Sequence, residues 1–302
     1  MEYGTVGDVT VQELEATVAA LKQGSPRVRV LACGVIASAC RGRRAQHRDA
    51  VLRHGGPPFL LSMLEHGDAA QKHAAAAALA AVCKSVDNSL CVHKHRGLLE
   101  LIRLLQISEG ETRASAAEAL ACLFRNVEGS CGEAYEGGCL GTLSSIVSFE
   151  STTEVARTQS LWAMSEMFAR LPASRDDYFS RGGADALLNL LREPSNSNTG
   201  SPPLLSSASG CLSAMLTHDC PPLTHFLEIS NAVSVLIPFI PTKDPALLSA
   251  VSRALQSVCA SSVRCTRDLV NQNGVDALVQ ACRKCIPFAS VLTALQEGWT
   301  RK

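Results

Sequence analysis

Six times along this chain a glycine or asparagine is followed, at fixed offsets, by apolar residues. The segments open at Gly56, Gly97, Gly138, Gly183, Asn231 and Gly274, at intervals of 41, 41, 45, 48 and 43 residues. Five residues on stand Leu61, Ile102, Leu143, Leu188, Leu236 and Val279; eight on stand Leu64, Leu105, Ile146, Leu191, Phe239 and Cys282. A separation of three puts each pair on one face of a helix. A period in the forties implies a stack of units sharing one elongated core, because no single unit buries its apolar face alone. The 302 residues therefore predict one extended all-α domain where length alone suggests two.

A longer helix follows each of these segments, with a central apolar residue at Leu79, Leu120, Met164, Leu212 and Leu255, and Ile36 as its equivalent in an incomplete first unit. A short helix precedes each turn, as in the stretches 48–54 and 175–181. Helix starts carry chemical marks. Thr10-x-x-Glu13, Ser108-x-x-Glu111 and Ser151-x-x-Glu154 have capping-box spacing. Ser25-Pro26 and Asp244-Pro245 set a capping residue before a first-turn proline. The ends are atypical, with polar Gln12, Glu13 and Glu15 on the first helix and a shortened helix expected around Phe288 to Gln296. The resulting plan is a cap unit over 1–42, repeats over 43–285, and a cap helix over 286–302. The segment 194–203, rich in Ser, Asn and Pro, reads as an insertion that buries nothing.

Short helix, glycine turn, middle helix and long helix in about 42 residues resemble the armadillo repeat. The stretch from Gly183 to Leu191 and the stretch from Ser160 to Glu166 are similar to that family's middle and long helices. HEAT repeats, the competing plan, lack the short first helix and the glycine turn. The resemblance implies a right-handed armadillo-type superhelix of three-helix repeats, with the long helices lining a concave groove where partner segments lie. Nuclear-import members of the family place Trp, and Asn four residues later, on successive long helices. Here the Trp position holds Gly34, Ala77, Glu118, Trp162, Gly210 and Arg253, and the Asn position holds Ser38, Ala81, Cys122, Glu166, Ala214 and Ser257. Only Trp162 matches, so the array that reads a basic localisation signal is missing. Glu118, Trp162, Glu166 and Arg253 are the candidate partner-binding residues, with the carboxylates favouring a basic or hydroxyl-rich segment.

No catalytic apparatus is legible. There is no phosphate-cradling G-x-x-x-x-G-K-[ST], no G-x-S-x-G and no H-E-x-x-H. Cys282-x-x-Cys285 is a lone pair where tetrahedral zinc needs four ligands. Cys91, His93 and His95 cluster on a short helix and read as solvated side chains. Arg41, Arg43, Arg44 and Arg48 form the one concentrated cationic run, a possible grip for an anion or an acidic partner. Lys+Arg and Asp+Glu are both 28, so no global charge draws the chain to nucleic acid. Thirteen scattered cysteines in apolar surroundings fit a reducing compartment. Met1-Glu2-Tyr3-Gly4 opens no secretory signal, and the most apolar run, around 74–82, is too short to span a bilayer. The expectation is a cytoplasmic, non-enzymatic scaffold or adaptor that binds a protein or peptide, with no cofactor, small-molecule substrate or membrane insertion. An Hsp70 co-chaperone promoting nucleotide exchange, or an accessory subunit holding a catalytic partner, are the alternatives.

Overall fold

The computed structural model describes residues 9–42, 44–149, 151–192, 201–217 and 220–284, and the described residues are helical with no strand. A first pair, α1 (Val11–Gln23) and α2 (Pro26–Cys40), is followed by triplets of short, middle and long helices. They are α3 (Ala45–Arg53), α4 (Gly56–His66), α5 (Ala69–Val82); α6 (Val86–Lys94), α7 (Gly97–Ile107), α8 (Gly110–Asn126); and α9 (Ser130–Glu136), α10 (Cys139–Ser148), α11 (Glu154–Arg170). Next come α12 (Pro172–Ser180), α13 (Gly183–Arg192), α14 (Pro202–Met215); and α15 (Pro221–Ile229), α16 (Ala232–Leu236), α17 (Pro245–Ser261). The described part closes with α18 (Val263–Asn271) and α19 (Gly274–Lys284). The chain forms two compact units, Met1–Ala163 and Met164–Lys302. Within the first, α2 packs on α5 and α5 on α8; within the second, α14 packs on α17.

The long helices form the core of each unit. Ile36, Leu79 and Leu120 in the first unit, and Met164, Leu212 and Leu255 in the second, are all buried. Their neighbours are mostly alanine, as in Ala74–Ala81 of α5, which lets helix backbones approach closely. Of the middle-helix positions, Leu61, Leu64, Ile102, Leu105, Leu143, Ile146, Leu188, Leu191 and Leu236 are buried as the spacing requires. Three depart. Phe239 lies half-buried in a 3-10 turn (Ile237–Phe239) and Ile240 takes the core place. Val279 is 37% exposed while Leu278 is buried, and the side chain of Cys282 lies outside the described residues.

Every short helix meets its middle helix at a two-residue corner, and the second corner residue is left-handed: Gly55, Arg96, Gly138, Gly182, Asn231 and Asn273. The first middle-helix residue then packs against the residue five positions earlier. A Cβ added at Gly56, Gly97, Gly183 or Gly274 would run into Val51, Val92, Tyr178 or Leu269 respectively. Where Cys139 opens α10 instead, the residue five back is Ala134. So four of the six glycine and asparagine landmarks are there for close approach, and only Gly138 and Asn231 for the left-handed turn.

Capping follows the sequence in part. Thr10 and Glu13 form a full capping box, with Glu13 N–H donating to Thr10 Oγ1 at 3.3 Å and Thr10 N–H to Glu13 Oε2 at 2.7 Å. Asp244 accepts from Leu247 N–H at 2.9 Å. Ser25 precedes Pro26 as expected but makes no side-chain cap bond. Ser108 does not start α8: its hydroxyl donates back to Leu104 O at 2.6 Å and so closes α7, while left-handed Gly110 turns the chain into α8. α11 begins at Glu154 itself, so Glu154 lies in the first turn and Ser151 is not its cap. An unforeseen box joins Asp68 and Gln71 at the start of α5. Pro202 and Pro203 open α14, which takes the last residues assigned above to the insertion; 193–200 and the expected helix at 288–296 lie outside the described residues.

Helix ends are closed by a recurring device. A side chain on the next short helix donates to the last carbonyls of the long helix: Arg48 Nη1 to Cys40 O at 3.0 Å, Ser89 to Cys83 O at 2.7 Å, Ser130 to Leu123 O at 3.1 Å, and Thr266 to Cys259 O at 2.9 Å. Bonds between neighbouring repeats hold the stacking register. In the first unit Asn88 Nδ2 donates to Arg48 O at 3.0 Å and His93 Nε2 lies 3.1 Å from Glu133 Oε2; in the second Arg192 Nη2 donates to Ser230 O at 2.8 Å.

Candidate functional site

The Trp-position residues of the first unit, Gly34, Ala77, Glu118 and Trp162, stand at one register on α2, α5, α8 and α11. Each lies two residues before the buried centre of its helix, so each faces away from the core at a helix middle. Gly34 is exposed, and a Cβ there would meet open space; Ala77, Glu118 and Trp162 are half-buried. One turn on, Ser38 is exposed but Ala81 and Cys122 are buried. On α5 and α8 the position that would pair with a ligand backbone is therefore closed by helix packing.

Both carboxylates have cations of their own chain. Glu118 Oε1 lies 2.9 Å from Lys84 Nζ, with the two side chains 25% and 33% exposed. In the second unit Glu166 Oε2 lies 2.7 Å from Arg170 Nη1, one turn along α11. The Arg125 guanidinium sits 4.9 Å from the centre of the Trp162 ring. Pairs this exposed contribute about 1 kcal/mol or less, and the cation–π contact about as much. Lys84 and Arg125 escaped the sequence reading although both stand five residues past the helix centre, as does Arg41. That shared register was the available signal.

Arg253 is exposed on α17 in the second unit. Of the cationic run, Arg41 and Arg44 are exposed and Arg43 lies outside the described residues. Arg48 is different. It is 8% exposed, and its Nη1 is bonded to Cys40 O and to Gly42 O at 2.8 Å, so its guanidinium closes α2 and is not presented to a ligand.

Burial pushes the Cys33, Cys40 and Cys139 thiols up to about 12 and raises Cys83 and Cys211 as well, so these sulfurs stay protonated. Among the described residues no three or more His, Cys, Asp or Glu are grouped to hold a metal ion. His93 is held by Glu133, and His95 Nδ1 lies 2.8 Å from Cys91 O. A shallow cleft of about 400 Å³ in the second unit is lined by Leu191, Arg192, Ser230, Asn231, Ser234, Val235 and Pro238, and brings no acid, His or Cys together. No helix among the described residues is long and apolar enough to cross a membrane.

No protein-family model matches this sequence, and no curated protein matches it. Solved structures do match the fold. An engineered protein from the Northeast Structural Genomics Consortium, 19% identical, aligns with a TM-score of 0.69 over 83% of this chain and 98% of its own. A second engineered protein, 18% identical, aligns with a TM-score of 0.71 over 95% of this chain and 66% of its own. A designed armadillo repeat protein in complex with the peptide (KR)4, 16% identical, aligns with a TM-score of 0.65 over 82% of this chain and 99% of its own. The fold is an armadillo-like solenoid of three-helix repeats.

Proposed function

We propose that the chain is a non-enzymatic scaffold that binds a segment of a partner protein along its long helices. The observation that carries this reading is Trp162. It is a large aromatic left half-buried at the middle of a long helix, with the Arg125 guanidinium over its ring. Trp in such a setting offers rigid apolar area at low entropic cost, and for that reason dominates many interfaces. The fold supports the reading, since a designed protein of the same architecture was solved with a peptide bound. Glu118, in the same unit as Trp162, is assigned the polar edge of that contact, and Glu166 and Arg253 are proposed as binding residues of the second unit. Because Glu118 and Glu166 are already matched by Lys84 and Arg170, a basic segment has to displace those cations first. The described cysteines are all free thiols, which supports a cytoplasmic setting.

The test uses Trp162 as its own reporter. A Trp299→Phe variant leaves Trp162 as the single tryptophan, because the chain has two. Peptides selected from a random display library on this protein shift the Trp162 emission, and Trp162→Ala weakens them by about tenfold or more. Selected peptides that bind Trp162→Ala as tightly as the parent would remove the basis of the proposal.

A further inference from the structure

Between Glu15 and Asp49 the sequence contains no acidic residue, while Lys22, Arg27, Arg29, Arg41, Arg43, Arg44 and Arg48 all fall there. In a chain of zero net charge this is the most one-sided stretch, and α2 lies at its middle. Ala32, Cys33, Ile36, Ala39 and Cys40 are buried in the core shared with α1 and α5. The remaining face is exposed: Arg27, Leu31, Gly34, Ser38 and Arg41 follow one another at helical spacing as a single stripe. Leu31 is 65% exposed at its centre, with Val28 beside it. Gly34, one turn on, leaves open space where a Cβ would stand. An interior glycine weakens a helix unless the missing side chain makes room, and no part of α2's own surroundings fills that room.

We propose that this face of α2 docks an acidic amphipathic helix of a partner protein, with an apolar residue seated on Leu31 beside the notch at Gly34 and carboxylates meeting Arg27 and Arg41. Those two arginines are about 21 Å apart along the helix axis, the length of about four helical turns of the partner. A helix is the fitting occupant because the opposite face of α2 already takes one, α5, through the same small-residue packing. Acidic flanks follow from charge complementarity, since the stripe and its surroundings offer cations without a carboxylate on α2. A second copy of the chain meeting through the same face would set Arg27 and Arg41 against themselves. A lipid surface would find one exposed leucine and one valine, too narrow an apolar band for stable insertion. The stripe includes Gly34 and Ser38, the α2 members of the register that carries Trp162, so this inference rests on the long-helix reading above and adds an acidic helix as the occupant at α2.

The experiment measures fluorescence anisotropy of two labelled synthetic peptides of about 18 residues. Both are amphipathic, with leucine on one face, and carry either glutamate or lysine on the other. The glutamate peptide binds, and its affinity falls between about 50 and 200 mM salt. Leu31→Glu and the double variant Arg27→Glu/Arg41→Glu each weaken it by about tenfold or more, Leu99→Glu on the exposed side of α7 leaves it unchanged, and the lysine peptide does not bind. The side chains of Arg27, Leu31, Arg41 and Leu99 are exposed, and unchanged circular dichroism confirms each fold. Absence of binding by the glutamate peptide, or equal binding of the two peptides, overturns the proposal. So does loss of binding in Leu99→Glu with retention in Leu31→Glu. Self-association abolished by Leu31→Glu would assign the face to a second copy, and Leu31-dependent pelleting with phosphatidylserine vesicles would assign it to a membrane; either result overturns it too.

Discussion

Replacing Arg48 separates a structural role from a binding one. In the sequence it belongs to a run of arginines suited to an anion; in the fold its Nη1 bridges Cys40 O at 3.0 Å and Gly42 O at 2.8 Å. Hydrogen bonds from a charged group contribute about 1.5–3 kcal/mol each. Gly42 is exposed, so water takes over that carbonyl when Arg48 is removed. Cys40 is fully buried, so its carbonyl is left with no replacement, at about 1–3 kcal/mol. Against this, Arg48 Nε is buried without a partner, and its removal returns roughly 1 kcal/mol. The net expectation for Arg48→Met, which keeps the aliphatic volume, is a destabilisation of about 2 kcal/mol. At about 2–4 °C per kcal/mol for a unit of this size, the first transition falls by about 4–8 °C. Urea unfolding followed by circular dichroism measures it, with Arg48→Lys recovering part of the loss and exposed Arg41→Ala losing nothing. An Arg48→Met protein within about 0.5 kcal/mol of the parent would refute the reasoning, because a charge on a solvated surface has that effect and a helix-closing one does not.

Two glycines predict opposite signs. Gly183→Ala drives a Cβ into the ring of buried Tyr178, itself held 5.3 Å from the Phe168 ring, and lowers stability by about 1–3 kcal/mol in the same assay. Gly34→Ala meets open space in a helix interior and raises it by about 0.5–1 kcal/mol. Thiol alkylation of the native protein, read peptide by peptide in a mass spectrometer, modifies part-exposed Cys220 and Cys91 well before buried Cys33, Cys83, Cys139 and Cys211. The bonds from Thr10 hold the Glu13 carboxyl below the ordinary glutamate value. Its contribution to the start of α1 is therefore complete above the unfolded value and disappears as pH falls through the folded one. Amide exchange over 10–14, corrected for intrinsic rates, loses protection between about pH 5 and pH 3 in the parent, and Glu13→Gln removes that pH dependence.

The repeat was readable because core positions repeat as a pattern, and the long-helix centres from Ile36 to Leu255 are buried without exception. The corners were readable only to within a residue. Left-handed backbone and close approach are separate demands on adjacent positions, and a single glycine at either one marks the same turn. The polar geometry was harder. Lys84 and Glu118 are 34 residues apart and meet only through the rotation of two helices, which no local pattern encodes. Arg48 looked like its neighbours in the run, yet it stands three residues before buried Val51 on the inward side of α3. Helical spacing could have separated it from Arg41 and Arg44. Trp162 was placed by its register, but the guanidinium over its ring depends on a residue from the preceding repeat.

The short-to-middle corner is two residues long at all six junctions, whereas the gap between middle and long helices runs from two residues, between α4 and α5, to nine, between α13 and α14. One joint is therefore inextensible and the other elastic. A residue inserted at 54–55 or 181–182 would rotate a whole middle helix against the core, while one added between α13 and α14 lengthens a connection that already varies. Lineages of such chains should accumulate length changes at the elastic joint and keep the corner at constant length. Grafted sequences, tags or new loops have their natural point of entry in the same place.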